Sequence, residues 1–403
     1  MGQRVLILSW EYPPIVEGGL ARHVRKLAEG LVSQGAEVHV LTRGGGNRPP
    51  EENRHGVIVH RVAEPDFPKD DLNAFIAWVG DMNSDLAAAG ERLGERIEFD
   101  LVHSHDWLVA SAAEQLKERF GTPWLVTVHA TEHGRHQGWV RKHPQSYIHR
   151  VERRMVRTAD RVITCSDFVR GHVNQVFRVA KRKITTIPNG IDPLDLEPIE
   201  AVDLEQLRAR YAAPGERLIL LVGRLVYEKG FHLALEALPQ TIKQLGNVRF
   251  VVCGTGTAEA DLKDQARELG LTRRGAFIGW TGDDTLHSLY RVADLCVIPS
   301  IYEPFGLVAL EAMASGCLTL VADTGGLREV VPEDGTAGLR FRARDPRSLA
   351  RMIEKMLTDE ELRERLVAEA REHVLKFDWA EVARETAQVY DELVAAGSVA
   401  RAT

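Results

Sequence analysis

The chain has 403 residues, a net charge of −7 and an apolar share of 44%. At roughly 100–200 residues per domain this length predicts two or three domains, and the apolar share excludes an intrinsically disordered chain. The acidic balance argues against a nucleic-acid binder, which usually carries a basic excess. The four cysteines form no CxxC pair, and no apolar run approaches the ~18 residues of a spanning helix. We therefore expect buried thiols in a cytoplasmic protein without membrane association.

Short β-branched runs alternate with helical patterns along the first half of the chain. The first of these runs is followed by Leu20, Val24, Leu27 and Leu31, which repeat at helical spacing. Such alternation is typical of parallel strands with helices on both faces of the sheet. The predicted strands are 4–9, 37–42, 101–104, 123–127, 161–165 and 184–187.

A cluster of turn-forming residues at 188–193 interrupts the alternation and indicates a linker near 188–200. Beyond it the pattern resumes, with helices predicted from Phe231, Ala258, Asp283 and Gly306 and three more in the tail from 346 to 396. The chain is therefore predicted to form an α/β fold of two doubly wound, Rossmann-like domains. We expect ligands at the carboxyl ends of the strands, in a cleft between the domains. The predicted strands of this half are 217–222, 248–253, 276–278, 295–299 and 319–322.

Glycines or basic residues follow the first strand of each half. Gly18 and Gly19 open the first helix, where glycine lets backbone approach a ligand and a helix N-terminus favours anions; a plain βα turn is the alternative. Arg224 and Lys229 lie five residues apart after the strand at 217–222, where they can converge on a pair of phosphates. The glycine spacing is not that of a Walker loop, and a solvated basic loop is the alternative.

The segment 300–311 carries the most informative pattern. Glu303 lies in the loop after a strand, Gly306 permits close approach of backbone, and Glu311 falls inside the helix that follows. The two carboxylates therefore bracket a helix N-terminus whose amides can bind a diphosphate. Carboxylates also accept hydrogen bonds from sugar hydroxyls, so the pattern favours a nucleotide sugar as ligand. A surface position for Glu311 is the alternative, although its apolar neighbours favour an embedded helix.

His129 follows the strand at 123–127 and is a candidate to donate a hydrogen bond to a substrate oxygen, although a lone histidine is more often a satisfied core residue. His103, His105 and Asp106, together with His129 and His133, also suggest a metal site. The chain contains no HExxH pattern, and alternate strand residues point to opposite faces, which separates Asp106 from the two strand histidines. We therefore expect no metal ligands here.

Two further patterns are weaker. Residues 253–257 resemble a dinucleotide fingerprint, but position 259 is a glutamate and not the third glycine. The stretch 135–157 carries seven Arg and Lys residues against one acid. We interpret it as a solvated helix face, with contact to a phosphorylated acceptor or to an anionic membrane surface as alternatives.

Taken together, these motifs resemble those of the retaining nucleotide-sugar glycosyltransferases with the GT-B fold, family four. The resemblance extends over nearly the whole chain. The segments 10–20 and 105–107 look most like those of bacterial and archaeal glycogen-synthase-like members, and 131–136 resembles the actinobacterial branch that makes α-1,4-glucans. The matching residues are Glu303 and Glu311 of an E-x7-E motif with Pro304, Phe305, Gly306 and Leu307 between them, the diphosphate-binding pair Arg224 and Lys229, the glycine loop Gly18-Gly19, and the strand-end His129.

The resemblance implies an N-terminal domain over 1–190 on the acceptor side, completed by a C-terminal helix at 379–397 that crosses back to it, and a donor domain over 191–378. It implies transfer of glucose from UDP- or ADP-glucose, with retention, to an α-1,4-glucan or oligosaccharide. Glu303 then holds the C3 and C4 hydroxyls of the sugar, Glu311 the ribose, and His129 the C6 hydroxyl. Arg224, Lys229 and the amides near Gly306 bind the diphosphate, with Phe305 and Leu307 beside them, and no metal or other cofactor is required.

Alternative functions stay open at this point. One alternative is a family-four glycosyltransferase that acts on a small-molecule or lipid acceptor. Others are a sugar-nucleotide epimerase or a pyridoxal-phosphate phosphorylase, which share the architecture, and a non-catalytic nucleotide-sugar sensor. The combination of Arg224 and Lys229 with Glu303 and Glu311 favours a transferase. The sequence does not separate UDP from ADP, fix the acceptor or decide whether the chain forms a homo-oligomer.

Overall fold

The computed structural model describes residues 2–44, 48–64, 68, 71–197 and 203–402, with side chains up to residue 397. Its contacts divide the chain into two compact units. Unit 1 comprises Met1–Gly190 and Trp379–Thr403, and unit 2 comprises Ile191–Asp378. The predicted linker at 188–200 runs across this division, and its last residues, 198–200, lie outside the described residues. No helix among the described residues is long and apolar enough to span a membrane.

Within the described ranges, unit 1 contains one sheet of eight strands. These are β1 Arg4–Leu8, β2 Glu37–Arg43, β3 Glu51–Arg54, β4 Val57–Val62, β5 Leu101–His105, β6 Trp124–Val128, β7 Arg161–Thr164 and β8 Ile184–Thr186. The order is β3-β4-β2-β1-β5-β6-β7-β8, and all neighbours are parallel except β3 and β4. The chain starts in the middle of the sheet and winds outward in both directions, which places the topological switch point between β1 and β5.

Helices connect most of the strands of unit 1. They are α1 Gly19–Ser33, α2 Leu72–Gly94, α3 Ala110–Phe120, α4 Glu132–Arg135, α5 Gln145–Thr158 and α6 Asp167–Phe177. Short polar side chains cap several of them: Asp71 accepts a hydrogen bond from the amide of Asn73, and Ser166 accepts one from the amide of Val169. Such caps satisfy amides that have no acceptor inside the helix.

Unit 2 contains a sheet of six parallel strands among its described residues. These are β9 Arg217–Val222, β10 Val248–Cys253, β11 Gly275–Gly279, β12 Leu295–Ile298, β13 Thr319–Ala322 and β14 Leu339–Phe341. The order is β11-β10-β9-β12-β13-β14, which is the Rossmann order with its switch point between β9 and β12. The predicted α/β class with two doubly wound sheets is confirmed.

The helices of unit 2 lie between these strands and in the tail that follows the last one. They are α7 Leu204–Ala209, α8 Phe231–Leu245, α9 Glu259–Glu268, α10 Asp283–Val292, α11 Leu307–Ala314, α12 Leu327–Val330, α13 Pro346–Thr358 and α14 Glu360–His373. The last helix of the chain, α15, spans Trp379–Ala402 and belongs to unit 1.

The sequence prediction missed β3, β4 and β14, and the antiparallel pairing of β3 departs from the all-parallel expectation. β3 is an edge strand with the sequence EENR, so it carries no apolar pattern. Its acids pair with polar residues of β4: Glu52 contacts Arg61 at 2.7 Å, and Glu51 contacts His60 at 3.2 Å. These polar pairs interrupt the apolar pattern of β4. β14 has three residues, too few for a period to show.

The helix α15 completes the core of unit 1 by packing against α1. Val382, Tyr390 and Leu393 of α15 lie in the same buried cluster as Val24 and Leu27 of α1. The two helices approach closely where α1 carries Gly30. A Cβ atom at this glycine would lie 2.7 Å from the Cβ of Ala383, so the absence of a side chain permits the contact.

We expect Gly30→Ala to destabilise unit 1. Alanine gains about 1 kcal/mol of helix propensity over glycine, but overpacking a tight contact costs about 1–3 kcal/mol. Gly80→Ala in α2 is the matched control, because Gly80 has no neighbour within 4 Å of a built Cβ. Denaturant unfolding of each variant measures the two changes. A stabilised Gly30→Ala variant, matching Gly80→Ala, would contradict the close packing of α1 and α15.

Candidate active site

Two predicted motifs follow the strands on either side of the switch point of unit 2. Arg224 and Lys229 lie after β9, and Glu303 lies after β12. Doubly wound sheets bind ligands outside the carboxyl ends of their strands at this point. The topology therefore brings both motifs to the position where a ligand is expected.

Lys229 and Glu303 form an ion pair. The Nζ atom of Lys229 lies 2.8 Å from Oε2 of Glu303, and the hydroxyl of Ser300 donates to the same oxygen at 2.9 Å. The lysine and glutamate side chains are only 21% and 11% exposed. Since an unpaired charge shielded from water is costly, each group needs the other. The fold thus joins two candidates that lie 74 positions apart in the sequence.

Backbone contacts fix the two loops that carry this ion pair. The carbonyl oxygen of Glu228 accepts hydrogen bonds from the amides of Ile301 and Tyr302 at 2.8 and 3.2 Å. Gly230 has φ of +69°, and a Cβ there would lie 2.0 Å from the carbonyl oxygen of Pro299. Only glycine fits this position, so the lysine is held against the glutamate by main chain.

The helix α11 presents its N-terminus directly after Gly306. This glycine has φ of +126°, and no side chain caps the first turn of the helix. A Cβ at Gly306 would lie 2.7 Å from the side chain of Leu327. Uncapped amides and the helix dipole make the first turn suited to an anion.

Glu311 lies on α11 and is held by a residue that sequence reasoning missed. Its Oε2 accepts a hydrogen bond from the hydroxyl of Tyr290 at 2.9 Å. Tyr290 lies on α10 and is completely buried. Burial, reinforced by the charge of Glu311, raises the pKa of the tyrosine well above 10, so the phenol is the donor. The signal in the sequence was a tyrosine at an apolar position of the helix preceding the motif.

A second glycine pair supports the Glu303 turn and was also missed. The amide of Gly326 donates to the carbonyl oxygen of Glu303 at 2.9 Å. Built Cβ atoms at Gly325 and Gly326 would lie 2.2 Å from the oxygen of Glu303 and 2.3 Å from that of Pro304. Adjacent glycines in the loop after β13 were the sequence signal for this close approach.

The dinucleotide-like segment 253–257 packs against the basic loop. A Cβ at Gly254 would lie 2.0 Å from the oxygen of Gly223, and one at Gly256 would lie 2.4 Å from that of Leu225. The amide of Leu225 also donates to the oxygen of Thr255 at 2.8 Å. The glycines therefore serve loop-to-loop packing, which accounts for the missing third glycine of the fingerprint.

The other donor-side candidates differ in exposure. Arg224 is exposed, although its neighbour Leu225 is completely buried. Leu307 is half-buried. The ring of Phe305 is buried against Phe377, with 5.9 Å between ring centroids. A contact of Phe305 with a ligand would therefore come from its backbone.

The glycine loop of unit 1 follows β1, beside the switch point of that sheet. The amide of Gly18 donates to Oε2 of Glu11 at 3.2 Å, and the amide of Glu17 donates to the same oxygen. A Cβ at Gly18 would meet nothing within 4 Å, so packing does not require glycine there, and Gly19 begins α1. Burial raises the pKa of Glu11 to about 7 despite these hydrogen bonds. Sequence reasoning did not single out Glu11 as a buried acid.

Asp106 fixes the turn that carries His129. Its Oδ1 accepts the backbone N–H of His129 at 2.7 Å. Asp106 has φ of 58° and ψ of −178°, a region that residues other than glycine occupy only under strain. Burial raises the pKa of this carboxyl to about 6. A strained residue that holds a neighbouring turn is typical of functional sites.

His129 lies in a cluster of buried histidines. Its Nε2 is 3.1 Å from Nδ1 of His105, and its ring centroid is 4.5 Å from that of His23 on α1. Burial lowers the pKa of all three, that of His129 to about 3. The three imidazoles are therefore uncharged at neutral pH. His23 was not among the candidates from the sequence.

Two of the predicted cluster histidines have other partners. His103 shares a face of β5 with His105, as predicted, with 4.4 Å between ring centroids. Both of its nitrogens are used, by the hydroxyl of Tyr390 at 2.7 Å and by that of Thr127 at 2.8 Å. His133 packs instead against His172, at 5.2 Å between centroids.

The basic stretch 135–157 contains an exposed helix face and one acidic residue that is buried. Arg150, Arg153, Arg154 and Arg157 of α5 are exposed, as predicted for a helix face. The single acid, Glu152, is buried and accepts the amide of Glu132 at 2.7 Å. Burial is the main cause that raises the pKa of Glu152 to about 8; the amide of Glu132 and the charge of Arg135 oppose this rise, and the charges of Glu132 and Asp106 add to it.

Two family models match this chain. Residues 17–194 match the model described as Glycosyltransferase Family 4, and residues 203–373 match the one described as Glycosyl transferases group 1. The first covers the glycine loop and His129, and the second covers both donor-side motifs.

Curated relatives match along nearly the full length. A glycogen synthase of Mycobacterium tuberculosis is 38% identical, over 96% of this chain and 94% of its own. A D-inositol 3-phosphate glycosyltransferase of Corynebacterium urealyticum is 28% identical, over 97% and 96%. Among solved structures, sucrose-phosphate synthase of Thermosynechococcus elongatus aligns with a TM-score of 0.82 at 26% identity, covering 98% of this chain and 100% of its own. HepE of Anabaena in complex with UDP-glucose has the same fold, with a TM-score of 0.75 at 21% identity over 97% and 100%.

The chain has two Rossmann-type sheets, each with polar groups at its switch point. Together with these matches, this architecture identifies an enzyme of the GT-B glycosyltransferase class that transfers a hexose. Within that class the match to the mycobacterial glycogen synthase is decisive. The chain belongs to glycosyltransferase family four and, within that family, to the glycogen-synthase-like members.

We expect Glu152→Gln to become more stable relative to the natural chain as the pH rises. The folded pKa of about 8 exceeds the ordinary 4.5, so the folded chain holds this proton more tightly than the unfolded chain. Its stabilising effect is complete below pH 4.5 and is lost as the pH rises to about 8. At about 1.4 kcal/mol per pKa unit, the difference should reach a few kcal/mol.

Urea unfolding at pH 5, 6.5 and 8 measures this difference. Glu118→Gln, which changes an exposed acid on α3, is the matched control and should give a constant offset. The free energy of unfolding of Glu152→Gln is compared with that of the natural chain. If the variant's advantage stays constant or shrinks as the pH rises, Glu152 ionises normally in the folded chain.

Proposed function

We propose that this chain is a retaining glucosyltransferase that moves glucose from UDP- or ADP-glucose to an α-1,4-glucan. The observation that carries the donor assignment is the Lys229–Glu303 ion pair beside the uncapped first turn of α11. The 38% identity to a glycogen synthase supports the sugar and the acceptor.

The donor diphosphate fits the charge distribution of unit 2. As the glycosidic bond breaks, negative charge develops on the leaving diphosphate, and fixed cations stabilise it most at that moment. Arg224 supplies a fork-shaped donor set and Lys229 a point charge, with the first-turn amides of α11 beside them. Because these groups already oppose the developing charge, we propose that the reaction requires no metal.

Glu303 and Glu311 take different parts of the donor in this proposal. Glu303 accepts the C3 and C4 hydroxyls of glucose, and Glu311 accepts the ribose hydroxyls. Both acids lie on one loop–helix element, and each is already held by a donor, Lys229 or Tyr290. This arrangement does not suit an acid and a nucleophile on opposite sides of a bond. It supports departure of the diphosphate and attack of the acceptor on the same face of the sugar.

His129 takes the C6 hydroxyl of glucose. Burial keeps the imidazole uncharged, so one nitrogen is a donor and the other an acceptor, which suits a hydroxyl. In this proposal the C6 hydroxyl takes Nε2, in place of its contact with His105. Asp106 holds the turn in place through the backbone of His129. The geometry supports a positioning role that does not need proton transfer.

A phosphorylated small acceptor is the second candidate. The D-inositol 3-phosphate glycosyltransferases among the relatives act on such a molecule by name, and the exposed arginines of α5 offer positive charge. Binding a phosphorylated acceptor requires such cations, whereas binding a neutral glucan does not.

A donor-by-acceptor screen tests the function. UDP- and ADP-glucose are each combined with maltooligosaccharides and with inositol phosphate, in buffer with and without EDTA, and NMR gives the linkage and anomeric configuration of the product. We expect α-1,4 extension of maltooligosaccharides that persists in EDTA. Product only with inositol phosphate would favour the second candidate. Conversion of the donor to an epimer without acceptor would favour an epimerase, and dependence on an added divalent metal would overturn the metal-free proposal.

We expect Arg224→Ala to lower kcat at least a hundredfold. Loss of about 3 kcal/mol of charge stabilisation in the transition state gives this factor at about 1.4 kcal/mol per tenfold. Lys229→Ala should lose as much, and it should also lower the melting temperature because Glu303 then lacks its partner. Lys243→Ala and Arg267→Ala, which alter exposed cations elsewhere in unit 2, are the controls. Near-natural kcat in Arg224→Ala would sink the diphosphate assignment.

We expect Glu303→Gln and Glu311→Gln to differ in kind. A contact made only in the transition state affects kcat, whereas one made equally in both states affects KM. Glu303→Gln should therefore mainly lower kcat, and Glu311→Gln should mainly raise the donor KM. Gln keeps the shape of Glu, so it avoids the shortened reach of Asp. Steady-state kinetics at saturating acceptor measures both, and the opposite pattern would reverse the two roles.

Tyr290→Phe extends this comparison. It leaves Glu311 in place and removes the hydroxyl that orients it, so it should raise the donor KM with little change in kcat. A donor that contains 2′-deoxyribose tests the mechanism. The ratio of its KM to the KM of the ribose donor should be smaller in Tyr290→Phe than in the natural enzyme. An unchanged ratio would show that the tyrosine does not act through the ribose.

A further inference from the structure

Three imidazoles in unit 1 come together from three separate elements. His23 lies on α1, His105 ends β5 and His129 follows β6. One ring nitrogen of each can be chosen so that all three lie within 4.8 Å of one another. His105 and His129 are closer, with 3.1 Å between Nδ1 and Nε2.

Several nitrogens of this cluster lack partners. Neither ring nitrogen of His23 makes a hydrogen bond, nor does Nε2 of His105, and all three atoms are buried. The side chain of Asn189 favours the protonated form of His23, but its Oδ1 also lies outside hydrogen-bond geometry. Buried polar atoms without partners are rare and call for a ligand or another physical reason.

The neighbouring rings do not satisfy these nitrogens. His103 has both nitrogens engaged by Tyr390 and Thr127, so it closes the set at three. The imidazoles of His23, His105 and His129 are uncharged because burial lowers their pKa. Neutral imidazole is the form that binds metal ions.

We propose that His23, His105 and His129 form a binding site for a divalent transition metal, of which Zn²⁺ is the commonest match. Imidazole nitrogens suit Zn²⁺, Cu²⁺, Co²⁺ and Ni²⁺ rather than Mg²⁺ or Ca²⁺. Three histidines with an open fourth position are an established zinc geometry. Zinc–nitrogen bonds of about 2.0–2.1 Å place ligand nitrogens roughly 3.4 Å apart, so His23 moves inward by an ångström or so on binding.

The metal inhibits the transferase. This consequence, unlike the binding itself, rests on the proposed function, in which His129 holds the C6 hydroxyl of glucose. The imidazole cannot hold a metal and the sugar with the same nitrogen at once. Metal and donor sugar therefore compete, and the metal acts as an inhibitor, not as a cofactor.

Metal titration of the full-length chain tests the site directly. The protein is first stripped with a chelator, and Co²⁺ is added while visible spectra are recorded; Zn²⁺ is then titrated against a chromophoric chelator. We expect one equivalent, with d–d bands of a four-coordinate ion and no thiolate charge-transfer band. A thiolate band would overturn the all-histidine set, because the Sγ of buried Cys165 lies 3.8 Å from the backbone oxygen of His129.

Variants locate the bound ion. His23→Gln and His105→Gln should each weaken Zn²⁺ binding at least a hundredfold, and circular dichroism shows whether each is folded. If either fails to fold, His129→Gln takes its place. His133→Gln and His60→Gln, which alter other histidines of unit 1, are the controls and should change binding less than twofold. Loss of binding in a control but not in His23→Gln would overturn the proposal, as would absence of stoichiometric binding at micromolar Co²⁺.

Activity supplies a separate readout. Added Zn²⁺ should raise the apparent donor KM of the stripped enzyme, and EDTA should reverse the effect. If no donor and acceptor pair gives product, the proposed function fails while the titration still decides the metal site. If the enzyme is active and binds Zn²⁺ at these histidines without inhibition, competition at His129 is wrong.

Discussion

The ion pair between Lys229 and Glu303 is the interaction on which the candidate site of unit 2 depends. Each charge is largely shielded from water, so neither is tolerated without the other. The contact requires the loops after β9 and β12 to meet, and they meet through backbone hydrogen bonds and glycines that leave no room for side chains. The same constraint sets the position of Gly306 and hence of the first turn of α11. A net-neutral lysine–glutamate pair also lets a diphosphate approach a site that already contains carboxylates, because the lysine offsets one of them.

The two units have the same type of topology, but their switch points differ in charge. At the switch point of unit 2, Lys229 and Glu303 form an ion pair beside a helix N-terminus, an arrangement that suits a phosphate ligand. At the switch point of unit 1, the histidines are uncharged, and burial raises the pKa of Glu11, Asp106 and Glu152. The uncharged imidazoles offer donors and acceptors that can bind hydroxyl groups without the cost of ion desolvation. This contrast supports the proposal that unit 2 binds the diphosphate and that unit 1 contributes His129 to the C6 hydroxyl of glucose.

Much of the fold was predictable because parallel strands buried on both faces are short apolar runs. The strands at 217–222, 248–253 and 319–322 agree with the structure at both ends. The missed strand β3 has the sequence EENR and carries no apolar pattern, and in β4 the polar pair His60 and Arg61 interrupts a short apolar run. The site followed the same rule. Glu303 and Lys229 were found because their loops carry glycines beside charges, whereas Tyr290 and His23 were missed because a buried aromatic and a helical histidine look like core residues.

Those two missed residues show what a sequence cannot reveal about a site. Tyr290 matters because its hydroxyl lies 2.9 Å from Glu311, and His23 matters because its nitrogens face other imidazoles without a hydrogen bond. In both cases the residue type is compatible with an ordinary core, and only its neighbours in the fold make it a candidate for function. Tyr290 is fully satisfied, so it acts as a fixed support for the carboxylate. His23 is not satisfied, and a buried donor or acceptor without a partner costs about 1–3 kcal/mol. A sugar hydroxyl or, in the inhibited enzyme that we propose, a metal ion would complete the cluster and remove this cost.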